Sequence, residues 1–169
     1  MKIGIVFGCF IPLHQGHLSL INKAIQENDK VIIGVCGFDD DRGKDFISFK
    51  TRIELIKTKY KDNPNITVVS VDDKNIGLTG KFDISSWKIW SNELFHNANI
   101  QSNTEHITWY TGEQSYVDKL QEIYPKHNFC LVNRNKINIS GTKIRENPTK
   151  YKEYIDKDFY TYLREIKNV

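Results

Sequence analysis

The stretch GCFIPLHQGH, residues Gly8–His17, connects two segments of different character and decides the fold. The segment before it, KIGIVF at Lys2–Phe7, is short, apolar and rich in β-branched residues, which predicts a buried strand. The segment after it, Gly16–Asn28, repeats apolar residues every three or four positions, which predicts an amphipathic helix. A strand that leads through a glycine-bearing loop into a helix is the first part of a βαβ unit.

The rest of the chain repeats this alternation of strand and helix patterns. Four more strands are predicted, at Lys30–Cys36, Ile66–Val71, His106–Thr111 and Asn128–Asn133. Helices are predicted at Phe49–Tyr60, Ser86–Asn97, Gly112–Tyr124, Ser140–Glu146 and, as one or two helices, within Lys150–Lys167. Five strands separated by helices predict an α/β fold with a parallel five-stranded sheet, flanking helices and C-terminal helices. Ligands of such sheets bind outside the carboxyl ends of the strands.

Two histidines occupy the helix end of the first loop. His14 and His17 are three residues apart, so both rings can approach one phosphate at the start of the helix. The helix N-terminus adds unpaired amide hydrogens and the positive end of the helix dipole, which favour an anion. The alternative is an ordinary loop with two surface histidines. The glycines and proline at fixed offsets, at the expected ligand edge, favour the phosphate site.

A second loop, ISGTKIR at Ile139–Arg145, opens the short helix after the fifth strand. Ser140 or Thr142 can cap this helix, and Arg145 can present a fork of donors from it. Alone, the pattern is also that of a capped helix with a solvated arginine. Taken with the histidine loop, it predicts one phosphate site built from both ends of the chain.

Composition excludes several classes of protein. The 169 residues fit a single domain, 1–169, and 24 basic against 21 acidic side chains leave a net charge of +3, too small to require a nucleic-acid partner. No apolar run approaches the ~18–20 residues of a membrane span. The three cysteines lie far apart in sequence, which predicts neither a disulfide framework nor a zinc site and favours a reducing cytoplasm. The acidic run Asp39–Asp41 is interpreted as a solvated loop, so no metal site is predicted.

The two loops together resemble a known family. The patterns G-x-F-x-P-x-H-x-G-H at Gly8–His17 and I-S-x-T-x-x-R at Ile139–Arg145 are similar to the paired signatures of the nucleotidyltransferase α/β-phosphodiesterase superfamily. Within it, the chain most resembles the nicotinamide mononucleotide (NMN) adenylyltransferase domain of NadR-type proteins. DISSWKIWSNELF at Asp83–Phe95, WYTGEQ at Trp109–Gln114 and the segment Ile139–Ile155 extend the resemblance. It implies a Rossmann-like nucleotidyltransferase fold.

The resemblance also implies roles for histidines and arginines at matching positions. His14 and His17 match the pair that contacts the ATP phosphates in the family, and Arg145 matches the arginine that binds the triphosphate. Arg52 resembles an arginine that many relatives carry early in the second helix, facing phosphate. Arg134 resembles an arginine found just before the late signature in archaeal NMN adenylyltransferases.

The nicotinamide ring is expected near the third helix. Trp90 falls where the family places an aromatic ring against nicotinamide, and Trp87, one turn away, is the second candidate. Because residues three apart share a helix face, both tryptophans could instead be core residues. Asp83 or nearby backbone is expected to meet the carboxamide. The remaining predicted substrate-binding residues are Gly8, Phe10, Gly112, Ser140 and Thr142.

The implied reaction transfers AMP from ATP to NMN and gives NAD and pyrophosphate. Mg²⁺ would arrive with ATP, held mainly by phosphates and water. Neither nucleic acid nor a membrane is expected as a partner, and a homo-oligomer is left open. Many relatives carry Lys or Arg where this chain has Cys9, so one phosphate contact is expected to be missing. Two alternatives stay open: transfer to another acceptor such as phosphopantetheine, and a nucleotide sensor without turnover.

Overall fold

The computed structural model describes residues 1–37, 45–73, 83–133 and 138–169, so Asp39–Asp41 and Arg134 lie outside the described residues. The strands are β1 (Ile3–Gly8), β2 (Lys30–Cys36), β3 (Ile66–Val71), β4 (Ile107–Thr111) and β5 (Asn128–Leu131). The helices are α1 (Gln15–Glu27), α2 (Phe49–Tyr60), α3 (Ile84–Asn97), α4 (Gln114–Ile123), α5 (Gly141–Glu146) and α6 (Lys157–Lys167), with a 3-10 turn at Lys152–Tyr154. Within the described ranges, no helix is long and apolar enough to cross a membrane.

The five strands form one parallel sheet in the order β3-β2-β1-β4-β5. The chain begins in the centre of the sheet, moves outward through β2 and β3, and then returns to the other side of β1 with β4. The strand order therefore reverses between β1 and β4, and sheets of this kind bind ligands at the carboxyl end of such a reversal. The topology confirms the predicted fold class.

Helices cover both faces of the sheet and divide the core into two clusters. Alternate residues of β1 point to opposite faces, as the period of a strand requires. Val6 belongs to the cluster under α1, α2, α5 and α6, whereas Ile5 belongs to the cluster under α3 and α4. We call these two faces the α1 side and the α3 side. Both faces are buried, which explains the nearly continuous apolar run of β2.

The C-terminal segment is bonded to the loop that follows β1. The buried carboxylate of Asp156 accepts a bond from Lys59 Nζ of α2 at 2.6 Å. The backbone N–H of Asp156 donates to Leu13 O at 2.9 Å, and Ile155 pairs with His14 in an antiparallel bridge. These contacts fix the position of the β1–α1 loop relative to α2 and α6.

Candidate active site

The β1–α1 loop turns at Phe10, whose φ of 54° lies in the left-handed region that disfavours residues with a Cβ atom. Its side chain is buried, and its ring meets the ring of His17 edge-on with 4.9 Å between centroids. A Cβ atom at Gly8 would lie 3.3 Å from the Phe10 ring, so the glycine allows this tight turn. The Ile11–Pro12 peptide bond that follows in this loop is cis.

The two predicted histidines form a stacked pair at the start of α1. Their ring centroids are 3.8 Å apart and the ring planes differ by 28°. His14 Nδ1 accepts a bond from the Gly16 backbone N–H at 3.1 Å, and His17 Nδ1 accepts one from the His14 backbone N–H at 3.3 Å. A neutral imidazole that accepts at Nδ1 carries its proton on Nε2. In this tautomer each ring carries its proton on Nε2; the His17 ring is partly exposed, whereas His14 is only 4% exposed.

The second signature lies directly against the first. Arg145 Nη1 donates to Ile11 O at 2.7 Å, and Nη2 donates to Thr142 Oγ1 at 3.2 Å. Ser140 caps α5, because its hydroxyl accepts a bond from the Lys143 backbone N–H at 3.3 Å. The structure thus brings together His14, His17, Ser140, Thr142 and Arg145, which are up to 131 positions apart (145 − 14) in the sequence.

Gly141 permits the close contact between the two signatures. A Cβ atom at this position would lie 2.8 Å from Arg145 Nη1 and 3.0 Å from Ile11 O. Distances that short require the neighbouring atoms to move. We call Gly8–His17 together with Ser140–Arg145 the polar half of the site.

Arg52 has a different position from the other predicted cationic residues. Its guanidinium is fully buried, and Nη1 donates to Cys9 O at 2.6 Å and to Cys36 O at 2.9 Å. One cation therefore joins the carboxyl ends of β1 and β2 beneath the loop. A direct contact between Arg52 and phosphate stays a prediction.

Aromatic rings form the other half of the site on the α3 side. Phe7, near the end of β1, lies 4.9 Å from Trp90, 5.9 Å from Trp87 and 5.7 Å from Tyr116, measured between ring centroids. Trp87 and Tyr116 are 5.2 Å apart. Trp90 is 1% exposed and Trp87 is 5% exposed, and both belong to the core cluster. We call these four residues the aromatic half; stacking of either tryptophan on nicotinamide stays a prediction.

Asp83 caps the helix that carries the tryptophans. Its Oδ1 accepts a bond from the Ser86 backbone N–H at 2.8 Å, and this bond holds the pKa of the Asp83 carboxyl below its ordinary value. A contact of Asp83 with the carboxamide stays a prediction. Gly112 follows β4 at the same edge of the sheet, where the Glu113 N–H donates to Thr111 Oγ1 at 3.2 Å.

Two residues of this region, Tyr116 and Asp73, are not identified from the sequence alone. Tyr116, in the first turn of α4, is the exposed member of the aromatic half. The sequence feature that could have indicated it is an aromatic residue in the first turn of the helix that follows β4. Asp73 follows β3 and is 2% exposed; burial and, less strongly, the Asp72 carboxylate raise its pKa to about 6. No sequence pattern distinguishes this carboxylate from other loop acids.

Comparison with known proteins agrees with this geometry. The pattern of the cytidylyltransferase-like family matches residues 5–147. The chain belongs to this family. It is 29% identical over 165 residues to the trifunctional NAD biosynthesis/regulator protein NadR of Salmonella typhimurium, which covers 91% of this chain and 38% of NadR. It is 33% identical over 117 residues to the phosphopantetheine adenylyltransferase of Streptococcus uberis, covering 63% of this chain and 69% of that enzyme.

A solved structure agrees over nearly the whole chain. The crystal structure of a NadR protein in complex with NAD and AMP-PNP superposes with a TM-score of 0.74 and 31% identity, covering 94% of this chain and 45% of that one. The chain therefore spans less than half the length of the NadR proteins it matches. Family membership and these relatives confirm the resemblance to nucleotidyltransferases and place the chain among those enzymes.

Proposed function

We propose that the chain is an NMN adenylyltransferase, which makes NAD and pyrophosphate from ATP and NMN. The observation that carries the proposal is the polar half: two stacked histidines at the start of α1, on a loop whose Ile11 carbonyl accepts a bond from the arginine of the second signature. Donors held in place before the substrate arrives stabilise developing negative charge without reorganisation. The adjacent aromatic half suits an acceptor that contains a flat ring.

The chemistry requires positioning more than covalent help. A 5′-phosphate oxygen of NMN attacks the α-phosphorus of ATP, a new P–O bond forms, and the bond to the β-phosphate oxygen breaks so that pyrophosphate leaves. The nucleophile is already anionic, so no general base is required. His17 donates to the α-phosphate as charge develops, while His14 and Arg145 hold the departing pyrophosphate. Mg²⁺ would enter with ATP as part of the substrate and would help to neutralise the charge of its phosphates.

The aromatic half supports NMN as the acceptor. Nicotinamide in NMN is a flat ring with a positive charge, and aromatic faces attract cations by ~0.5–2 kcal/mol. Tyr116 already presents an exposed ring, whereas Trp87 and Trp90 would have to be uncovered for stacking. A NadR protein solved in complex with NAD and AMP-PNP, 45% of which matches this chain, supports NAD as the product.

A second candidate is adenylyl transfer to phosphopantetheine. The match to the Streptococcus uberis enzyme favours it, because that match covers two thirds of a complete phosphopantetheine adenylyltransferase. Phosphopantetheine is a flexible chain without a ring, so it has no use for an aromatic surface. The aromatic half is therefore the observation that separates the two candidates.

A panel of acceptors tests both candidates. The purified protein is incubated with Mg-ATP and, separately, with NMN, nicotinate mononucleotide or phosphopantetheine, and pyrophosphate release is measured. We expect release with NMN and loss of that release in His17→Ala. Release with phosphopantetheine alone would replace the proposal by the second candidate. Nucleotide binding by calorimetry without any release would make the chain a sensor.

A further inference from the structure

Cys9 and Cys36 lie side by side at the carboxyl ends of two neighbouring strands. The register of β1 and β2 pairs Phe7 with Gly34 and ends with Gly8 opposite Val35, and Cys9 and Cys36 are the residues that directly follow this last pair. Paired residues of parallel strands point to the same face, and both cysteines pack on the α3 side. Neighbouring strands are ~4.8 Å apart, within the ~4.4–6.8 Å that a disulfide needs between its Cα atoms.

Two contacts hold the cysteines together. The Cys9 side chain forms a hydrogen bond with the Cys36 thiol. Arg52 Nη1 bonds both backbone carbonyls, at 2.6 Å to Cys9 and 2.9 Å to Cys36. The sulfur atoms are therefore brought together by strand pairing, by a direct contact and by a buried cation.

The two thiols have different environments. The Cys9 bond, burial and the nearby Asp73 raise the pKa of Cys36 well above its ordinary value, although Arg52 opposes the effect. Cys36 is buried, whereas Cys9 is partly exposed at the start of the loop. An oxidant from solution therefore reaches Cys9 first, and Cys36 is placed to resolve the product.

We propose that Cys9 and Cys36 are a reversible disulfide site that is oxidised by a low-molecular-weight disulfide such as glutathione disulfide. The Cys9 thiolate attacks one sulfur of the oxidant, forms a mixed disulfide and releases one thiol. Cys36 then attacks the Cys9 sulfur, the Cys9–Cys36 bond forms, and the second leaving thiolate takes the Cys36 proton. The two cysteines are oxidised together, and the small disulfide is reduced to two thiols.

The site links the loop of the polar half to β2. Because Cys9 directly precedes Phe10, the disulfide would fasten the start of that loop to the neighbouring strand. Formation of the bond requires neither ATP nor an acceptor, so its test is independent of the proposed adenylyl transfer.

The test is a disulfide map of the oxidised protein. Reduced protein is incubated with glutathione disulfide, free thiols are counted, and peptides are mapped by mass spectrometry. We expect the wild type to lose two of its three thiols, to yield a linked Cys9–Cys36 peptide in the monomer, and to recover both thiols with dithiothreitol. Cys130→Ser, which alters the third cysteine on β5, is the matched control and should form the same link.

The single variants separate the two steps. Cys36→Ser should keep glutathione on Cys9, and Cys9→Ser should give no internal link. Three results would overturn the proposal: wild type that keeps glutathione on Cys9 without a link, a link through Cys130 or a second chain, or no loss of thiols. The wild-type map decides the question by itself if a variant does not fold.

Discussion

The polar half and the aromatic half lie on the two sides of the same strand, and they are built in different ways. The polar half is joined by directional bonds: the His14 and His17 rings accept backbone N–H groups, and Arg145 donates to Ile11 O. The aromatic half is joined by ring contacts of 4.9–5.9 Å around Phe7.

This difference predicts how each half should respond to substitution. Directional bonds fix atoms to within a few tenths of an ångström, so a small change in the polar half should reduce the rate while the fold persists. Ring packing is collective, so a change inside the aromatic half should reduce stability, and only its exposed member should affect ligand choice selectively.

The largest effect is expected for His17→Ala. Loss of an Nε2–H donor to the reacting phosphate should reduce turnover by about 10²–10³-fold. His17 is only partly buried, but its Nδ1 accepts the His14 N–H at the start of α1, so we expect a modest fall in the melting temperature while the protein stays folded. Steady-state pyrophosphate release and thermal unfolding measure the two properties. His96→Ala, at an exposed position in the last turn of α3, is the control and should keep full turnover; near-normal turnover in folded His17→Ala would refute the assignment.

Gly141→Ala should have the second largest effect. The new methyl group would lie 2.8 Å from Arg145 Nη1, so it would push the arginine away from Ile11 O and disturb both signatures. A displacement of about 1 Å can cost up to ~10²-fold in rate. Kinetics with varied ATP measure this loss.

Gly4→Ala provides a matched control for that substitution. Its methyl group would lie 2.7 Å from the Asn28 side chain, near the amino end of β1 and away from the site. It should therefore lower the melting temperature and leave turnover of the folded protein unchanged. Equal kinetic losses in both variants would show that the contact between the signatures is not the cause of the loss in Gly141→Ala.

The fold followed from the sequence more completely than the site did. β2, α2 and β3 have the predicted bounds, because periodicity and turn residues are local signals. α4 begins at Gln114 instead of Gly112, because the Thr111 hydroxyl accepts the Glu113 N–H and the chain is still turning there.

The position of Arg52 could not be read from the sequence. The two carbonyls that it binds belong to residues that meet only through strand pairing, and Cys9 is 43 positions away. The same pairing brings Cys9 next to Cys36, although the cysteines lie far apart in the sequence and no disulfide framework is predicted from it. Tyr116 likewise becomes a site residue only because α4 packs beside α3 and the end of β1.

A pair of substitutions tests the aromatic half. Trp90→Leu removes volume from a fully buried position and should lower the free energy of unfolding by about 2–4 kcal/mol, with similar effects on NMN and ATP. Tyr116→Leu should leave stability nearly unchanged and weaken NMN binding by about 2- to 30-fold, as loss of a cation–π contact would. Separate titrations of NMN and an ATP analogue measure the difference. An NMN-specific loss in Trp90→Leu would support the stacking role that the sequence predicts for Trp90.

The smallest effect is expected for Asp73→Asn. The pKa of Asp73 is about 6 in the folded protein against 3.8 ordinarily, so the folded state binds more protons between these values. The free energy of unfolding therefore falls as pH rises from about 4 to 6. Asp73→Asn should remove this fall and gain on the order of 1–2 kcal/mol above pH 6, with no gain below about pH 4.

Urea unfolding across this pH range measures the gain. Asp62→Asn, at an exposed position, is the control and should follow the wild type. A gain that is the same at every pH would show that packing, and not the buried charge, is responsible.

Through the bond from the Asp156 N–H to Leu13 O, the C-terminal segment supports the loop that follows β1. The family pattern ends at residue 147, yet Ile155 and Asp156 hold the segment that carries His14. A version of the protein trimmed at the family boundary would keep both signatures and lose the support of one of them. Whoever shortens this chain, or fuses another protein to its end, should count Ile155–Lys167 as part of the catalytic unit.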